Sequence, residues 1–246
     1  MLIAASLLAS SFAAHAANGT DDAQVRASPT LARSITIAEL FPPAEAARLE
    51  STLRADKRVD FRLRIPPGAG PHGALVFVHP YNSGELPDGW AEILDRRDLA
   101  WVAAEKSGNA VAGSQRALVA LLGLTLLSRT TTLDDSRRYI GGMSGGGKIA
   151  GEVLTRFPAY FDGALCIVGA NPVPAARLRS PELREKRVLF LTGDRDFNHY
   201  DVLQVYGKFR DAGLSHAQLV DLRGFGHQYP DATQLDAALE LLDPRS

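Results

Sequence analysis

A serine in a glycine-rich segment is the feature of this sequence most able to do chemistry. Ser144 lies in Gly142-Met143-Ser144-Gly145-Gly146, which fits the pattern G-x-S-x-G. A serine hydroxyl becomes a strong nucleophile when a histidine takes its proton and a carboxylate orients that histidine. Both kinds of partner follow in the chain, Asp194 and Asp196 first and His227 later. Serine, aspartate and histidine in this order predict attack on an acyl carbonyl.

The glycines around Ser144 have a steric explanation. A strand that turns sharply into a helix leaves no room for side chains beside the turn, where they would clash with the neighbouring strand and helix. The turn lifts the serine Oγ above the sheet edge, near the free N–H groups of the helix N-terminus, which favour negative charge. The alternatives are an ordinary turn or a phosphate-binding loop. Ile149 after Lys148 breaks the phosphate-loop pattern G-x-x-x-x-G-K-[ST].

The elements that must position these residues alternate along the chain. Continuous apolar runs are typical of parallel strands covered on both faces, and they occur at residues 74–78, 100–104, 164–168 and 188–191. Further strands are predicted at residues 33–37, 59–65, 138–141 and 219–222. Helices are predicted at residues 114–127, 148–157, 200–212 and 233–242. This order predicts the α/β class, a doubly wound and mainly parallel sheet with helices on both faces, and a small cap or none.

The order Ser, Asp, His on alternating strands and helices resembles the α/β-hydrolase superfamily, from the second predicted strand to the last helix. The resemblance implies that Ser144 is the nucleophile and that His227, in a glycine-rich loop after the last strand, is the base. In this superfamily the acid often ends a G-x-x-D turn. Here that turn begins at Gly193 and ends at Asp196, while Asp194, nearer the strand end, is the alternative acid.

The loop after the 74–78 strand resembles the superfamily's oxyanion loop. It reads His79-Pro80-Tyr81, and the resemblance implies that the backbone N–H of Tyr81 is one oxyanion donor and that of Gly145 the other. Pro80 stands where glycine is usual, has no N–H and restricts the backbone. The alternative is a simple turn that ends the strand.

The resemblance implies a serine hydrolase that cleaves carboxylic esters through an acyl-enzyme, with no cofactor and no metal. Its expected substrate is a small-molecule or polymer-linked ester, since the chain is similar to exported, lid-poor carboxylesterases, feruloyl esterases and polyhydroxyalkanoate depolymerases. An acyltransferase with the same triad and a non-enzymatic binding protein on this fold remain alternatives. The loop residues that could line a pocket, none of them assigned to a ligand, are Tyr81, Asn109, Asn171, Asn198 and Tyr229.

The overall composition narrows the choice of partners. The net charge is −1 and no long run of one sign occurs, which argues against nucleic acid and anionic membranes, since both attract concentrated basic charge. The single cysteine, Cys166, cannot form an intramolecular disulfide and lies in an apolar run, as a buried hydrophobic residue would.

The first residues resemble a signal peptide. Leu2–Ala14 is apolar and is followed by the small-residue pattern Ala14-His15-Ala16. We therefore predict a signal peptide at residues 1–16, a flexible segment at residues 17–32 and a single α/β-hydrolase domain at residues 33–246. The mature protein is expected in the periplasm or outside the cell, with no stable membrane insertion after cleavage. The alternative is an uncleaved anchor or a disordered leader.

Overall fold

A computed structural model of the protein describes residues 31–244, which form a twisted sheet covered by helices. The predicted signal peptide and residues 17–30 of the predicted flexible segment lie outside the described residues. Leu31 and Ala32, which the sequence assigned to that flexible segment, form the first two positions of the first strand.

The described part of the chain contains eight strands in one sheet. They are β1 (Leu31–Thr36), β2 (Arg58–Arg64), β3 (His72–Val78), β4 (Leu99–Ala104), β5 (Leu133–Met143), β6 (Gly163–Ile167), β7 (Arg187–Gly193) and β8 (Ala217–Leu222). Their order in the sheet is β1-β2-β4-β3-β5-β6-β7-β8. The strands from β4 to β8 in this order pair in parallel, and β2 runs antiparallel to both of its neighbours. The predicted doubly wound, mainly parallel sheet is confirmed.

Helices connect the strands. They are α1 (Ile37–Leu40), α2 (Pro43–Leu49), α3 (Trp90–Arg96), α4 (Gly113–Thr130), α5 (Gly145–Arg156), α6 (Ala175–Leu178), α7 (His199–Asp211) and α8 (Ala232–Leu242). The sequence predicted the four longest of these and missed α1, α2, α3 and α6. These four span at most seven residues, too few for an apolar repeat of 3.6 residues to stand out. None of the helices in the described part is long and apolar enough to cross a bilayer.

Two hydrophobic cores lie on opposite faces of the sheet. In β7, Val188 and Phe190 belong to one core, while Leu189 and Leu191 belong to the other. The first core includes buried residues of α4, α5 and α7, and the second includes buried residues of α3 and α8. Because apolar side chains are required on both faces, the sequences of the central strands are unbroken apolar runs.

The connection between β6 and β7 is the place where a cap would be inserted. It spans residues 168–186 and contains only α6 and one turn of 3₁₀ helix, Pro181–Leu183. The carboxyl ends of the parallel strands therefore open onto one sheet edge without a large cover. In open α/β sheets this edge is where ligands bind.

Candidate active site

The turn between β5 and α5 holds Ser144 in a strained conformation. Its φ is 56° and its ψ is −120°, a backbone conformation that residues other than glycine rarely adopt. The N–H of Ser144 donates to the carbonyl of Ile167 at 2.8 Å, which ties the turn to the end of β6. The carbonyl of Ser144 accepts from the N–H of Lys148 at 3.1 Å and so starts the helix. Backbone bonds on both sides thus hold the strained turn.

Close backbone packing explains the glycines of the motif. A Cβ on Gly142 would overlap the backbone of Gly146, and a Cβ on Gly146 would overlap the carbonyl oxygen of Val78 at the end of β3. Gly169, after β6, is packed in the same way against the carbonyl of Ser144. The clashes with the helix and the neighbouring strand that the motif predicts are therefore present.

Ser144, His227 and Asp196 form a continuous chain of hydrogen bonds. The Oγ of Ser144 lies 2.9 Å from Nε2 of His227, and Nδ1 of His227 lies 2.7 Å from Oδ1 of Asp196. The Asp196 carboxylate is fully buried and also accepts from the hydroxyl of Thr192 and the N–H of Asn198. A buried carboxylate with these donors stays ordered and holds the imidazole with Nε2 towards the serine.

Asp194 occupies a different position. It accepts a hydrogen bond from the backbone N–H of Gly224, in the loop that leads to His227. Gly224 has a φ of +76°, which glycine adopts without strain, so this bond fixes the bend of the loop. The geometry favours Asp196 as the partner of the imidazole and gives Asp194 a structural contact in the same region.

The two predicted oxyanion donors lie on loops that meet beside Ser144. Gly145 is the first residue of α5, where an N–H has no acceptor within the helix. Tyr81 follows β3, and the carbonyl of Pro80 before it accepts from the N–H of Asn109 at 2.9 Å. The side-chain oxygen of Asn109 in turn packs on Cα of Gly145, where a Cβ would overlap it. Asn109 thus contacts both loops.

Arg116, which no sequence motif indicated as a site residue, lies at the centre of these contacts. Its guanidinium donates to the carbonyls of His79, Ser107 and Gly145 and to the side-chain oxygen of Asn109. The one signal in the sequence is that Arg116 is a cation directly before the apolar run of residues 117–124. Such a residue must find partners for its donors when the helix is buried.

A cleft of about 490 Å³ is lined by Tyr81 and by Gln228, the residue that follows His227 in the chain. Its polar lining includes three carboxylates, and the residues concerned are Glu85, Asp88 and Asp231. Buried at its base, the imidazole of His79 bonds to the hydroxyl of Tyr229 at 2.9 Å, and burial lowers the pKa of His79 to about 4. His79 is therefore neutral at neutral pH, and the cleft carries negative charge.

The other groups with possible chemistry lie apart from this site. Within residues 31–244 no group of three or more His, Cys, Asp or Glu side chains is arranged to hold a metal ion. Cys166 is buried in β6, and burial raises the pKa of its thiol to about 12, which keeps it protonated. Neither observation offers a competing reactive centre among the described residues.

Comparisons with known proteins agree on the architecture. No protein-family model matches the chain, and no curated protein matches its sequence. An S-formylglutathione hydrolase from Agrobacterium tumefaciens superposes with a TM-score of 0.64 at 16% identity, over 86% of this chain and 93% of that one. A ferulic acid esterase superposes with a TM-score of 0.58 at 16% identity, over 85% of this chain and 95% of that one.

A hyperthermophilic esterase from the archaeon Pyrobaculum calidifontis adds a third likeness. Its TM-score is 0.60 at 11% identity, over 86% of this chain and 82% of that one. The chain has the α/β-hydrolase fold. The predicted resemblance and fold class are thereby confirmed, and at such low identities the likeness establishes the fold alone. Ser144, Asp196 and His227 follow β5, β7 and β8, at the edge where the parallel strands end.

Proposed function

We propose that the protein is a serine hydrolase that cleaves carboxylic esters. The observation that carries this proposal is the hydrogen-bonded chain from Ser144 through His227 to the buried Asp196, with Ser144 at a strained turn. The named esterases among the structural neighbours support the same activity. Ester hydrolysis is the reaction that this combination of fold and site serves best.

The proposed reaction follows from the roles of the three side chains. The Oγ of Ser144 attacks the ester carbonyl while its proton passes to Nε2 of His227. Asp196, bonded to Nδ1, stabilises the imidazolium that forms. The tetrahedral intermediate collapses, the proton moves from His227 to the departing alcohol, and an acyl group remains on Ser144. Water then attacks this acyl-enzyme with His227 as base, which releases the acid and restores Ser144.

The oxyanion of the tetrahedral intermediate is assigned to the backbone N–H groups of Tyr81 and Gly145. Removing one such donor costs about 3–4 kcal/mol of transition-state stabilisation in comparable enzymes. Pro80 does not compromise this assignment, because its carbonyl is an acceptor for Asn109 and the donor belongs to Tyr81. The proposed site therefore needs no side-chain donor.

An active-site probe tests the proposal without knowledge of the substrate. A fluorophosphonate labels only a serine that is activated as a nucleophile. The parent protein should react, Ser144→Ala and His227→Ala should not, and Ser136→Ala should react like the parent. Ser136 is the matched control because it lies on β5, the strand that leads to Ser144, and is exposed and bonded to Asp134. A parent protein that does not react would contradict the proposal and favour the non-enzymatic binding protein instead.

Product analysis separates hydrolysis from acyl transfer. With an activated ester and water alone, a hydrolase releases the free acid at the full rate of alcohol release. Added short-chain alcohols should divert only a minor share of the acyl groups to new esters. An acyltransferase would make new esters as the main product.

We also propose that the protein is exported and acts on a small-molecule or polymer-linked ester in the periplasm or outside the cell. The support for export is the apolar stretch Leu2–Ala14 with its A-x-A end. The mass of the protein recovered from the periplasm or medium checks this, because cleavage after Ala16 gives a chain that starts at Ala17.

A further inference from the structure

Arg116 is a buried cation with an unusual set of partners. Only 5% of the residue is exposed, and in the part of the chain that the structure describes no carboxylate pairs with it. The similarly buried Arg97 instead pairs with Asp236 and Glu240. Burying a charge without an opposite charge is costly, and burial lowers the pKa of Arg116. The free-energy cost of burying the charge of Arg116 suggests that the residue has a role that offsets it.

The partners of Arg116 are acceptors on three different segments. Its Nη2 donates to the carbonyl of His79 at 2.8 Å, in the loop after β3. Its Nε donates to the carbonyl of Ser107 at 3.0 Å, in the loop after β4, and Nη1 is 3.3 Å from the carbonyl of Gly145 at the start of α5. Only a planar guanidinium can fan its donors to all three segments at once.

The loop after β4 then fixes the peptide that carries the proposed Tyr81 donor. The N–H of Asn109 donates to the carbonyl of Pro80, and in a planar trans peptide that carbonyl points opposite to the N–H of Tyr81. Gly108 lies directly on the Tyr81 carbonyl group, where a Cβ would have to displace it. The N–H of Gly108 also donates to the side chain of Asn82 at 3.0 Å. The direction of the Tyr81 N–H thus depends on residues 107–109.

We propose that Arg116 is a positioning residue of the oxyanion hole. Through the carbonyls of His79, Ser107 and Gly145 it holds the two donor-bearing segments in one arrangement, so that the N–H groups of Tyr81 and Gly145 converge on the reacting oxygen. This inference rests on the ester hydrolysis proposed above. It predicts that Arg116 affects the transition state more than the bound substrate, because the oxyanion forms only after attack.

Two substitutions at Arg116 test the proposal with a matched control. Arg116→Lys keeps the charge but cannot reach all the carbonyls, and Arg116→Met removes both. Each should lower kcat by about 10- to 100-fold and leave KM within about twofold, since loss of one oxyanion donor costs about 100- to 1,000-fold. Arg129→Met is the control: Arg129 lies near the other end of α4 and donates to the carbonyls of Glu39 and Leu40. Its kcat should match that of the parent.

A transition-state analogue gives a readout that a merely structural role would not move. An alkyl boronic acid adds to the serine and places an oxygen among the oxyanion donors. Its inhibition constant should rise in Arg116→Lys by about the factor by which kcat falls. The thermal unfolding midpoint and the near-ultraviolet circular dichroism spectrum establish that each variant is folded.

Asn82→Ala decides the question if neither Arg116 variant folds. Asn82 is exposed, so its loss leaves the cores intact, yet it removes the bond from Gly108. It should lower kcat severalfold at unchanged KM. A parental kcat in folded Arg116→Lys overturns the inference. If neither Arg116 variant folds, a parental kcat in Asn82→Ala overturns it. A parent that neither labels with the fluorophosphonate nor cleaves esters overturns the proposed function instead.

Discussion

Phe197 stacks on the imidazole of His227, with ring centroids 4.1 Å apart and an angle of 27° between the planes. Phe197 is nevertheless 77% exposed, an unfavourable setting for a large apolar side chain. Phe197 directly follows Asp196 in the chain. One turn therefore supplies both the carboxylate that bonds to the imidazole and the ring that covers one face of it. The stacking limits rotation of the imidazole and keeps water from that face.

Replacing Phe197 should therefore impair the chemistry of His227. Phe197→Ala is expected to lower kcat/KM by about 2- to 13-fold, because a stacked aromatic pair contributes about 0.5–1.5 kcal/mol. Phe197→Tyr keeps the ring and should retain most of the activity. Tyr200→Ala is the control, since Tyr200 is similarly exposed but bonds to Gln204. Steady-state kinetics with an activated ester check this, and equal rates in Phe197→Ala and the parent would contradict it.

Asn198 links the turn that contains Asp196 to Val168, a strained residue just after β6. Its N–H donates to Asp196, and its side-chain amide donates to the carbonyl of Val168 at 2.9 Å. Val168 is buried and has a φ of 42°, a costly conformation for a β-branched side chain. Asn198→Ala should lower the free energy of unfolding by about 1–3 kcal/mol, since it leaves a partly buried carbonyl without its donor.

Urea denaturation measures this loss, and kcat should fall as well because Gly169, next to Val168, packs on Ser144. Asn198→Asp is a useful companion, since it keeps the size of the side chain but removes the amide donor. Both variants should lose stability. A parental urea midpoint in Asn198→Ala would show that the Val168 conformation does not depend on this bond.

The buried His79 should make stability depend on pH. Burial lowers its pKa from 6.5 to about 4, so between these values the unfolded chain binds a proton that the folded protein does not. The free energy of unfolding should therefore decrease as the pH falls from 6.5 to 4, by about 3 kcal/mol from this group. The negative charge of Glu105 acts in the opposite direction and offsets only part of the shift.

Urea denaturation of the parent and His79→Gln at pH 7 and pH 4.5 isolates this contribution. Both proteins lose stability as carboxylates become protonated, but the parent should lose more. The difference between the two losses is the share of His79. Equal losses would mean that His79 takes up its proton in the folded protein without penalty.

The glycines of the turn around Ser144 should differ sharply from a glycine later in the same helix. Gly146→Ala would force a Cβ into the carbonyl of Val78 and should cost about 1–3 kcal/mol or more, with loss of activity. Gly151→Ala has only the Cys166 sulfur at 3.5 Å, an ordinary contact, and should be neutral or stabilising by up to about 1 kcal/mol. Thermal unfolding of the two variants, side by side, is the measurement. Similar destabilisation in both would contradict the packing explanation.

Local patterns in the sequence predict most of the fold and the centre of the site. Ser144 with its glycines is recognisable because one short segment contains both the nucleophile and the space it needs. The turn that ends at Asp196 is local in the same way. Arg116 and His79 are 37 residues apart in sequence, and no local pattern shows that a helix cation reaches that carbonyl. The stacking of Phe197 on His227 likewise depends on how two loops meet.

The acidic lining of the cleft bears on how the reaction cycle ends. The proposed hydrolysis turns a neutral ester into an anion. The cleft lined by Tyr81 and Gln228 presents Glu85, Asp88 and Asp231, without a lysine or arginine among its lining residues. His79 adds no positive charge at neutral pH, since its pKa is about 4. Like charges repel, so an acid released at Ser144 by the proposed reaction should not accumulate in this cleft. Turnover on neutral esters should accordingly suffer little product inhibition, and least of all at low ionic strength, where repulsion is strongest.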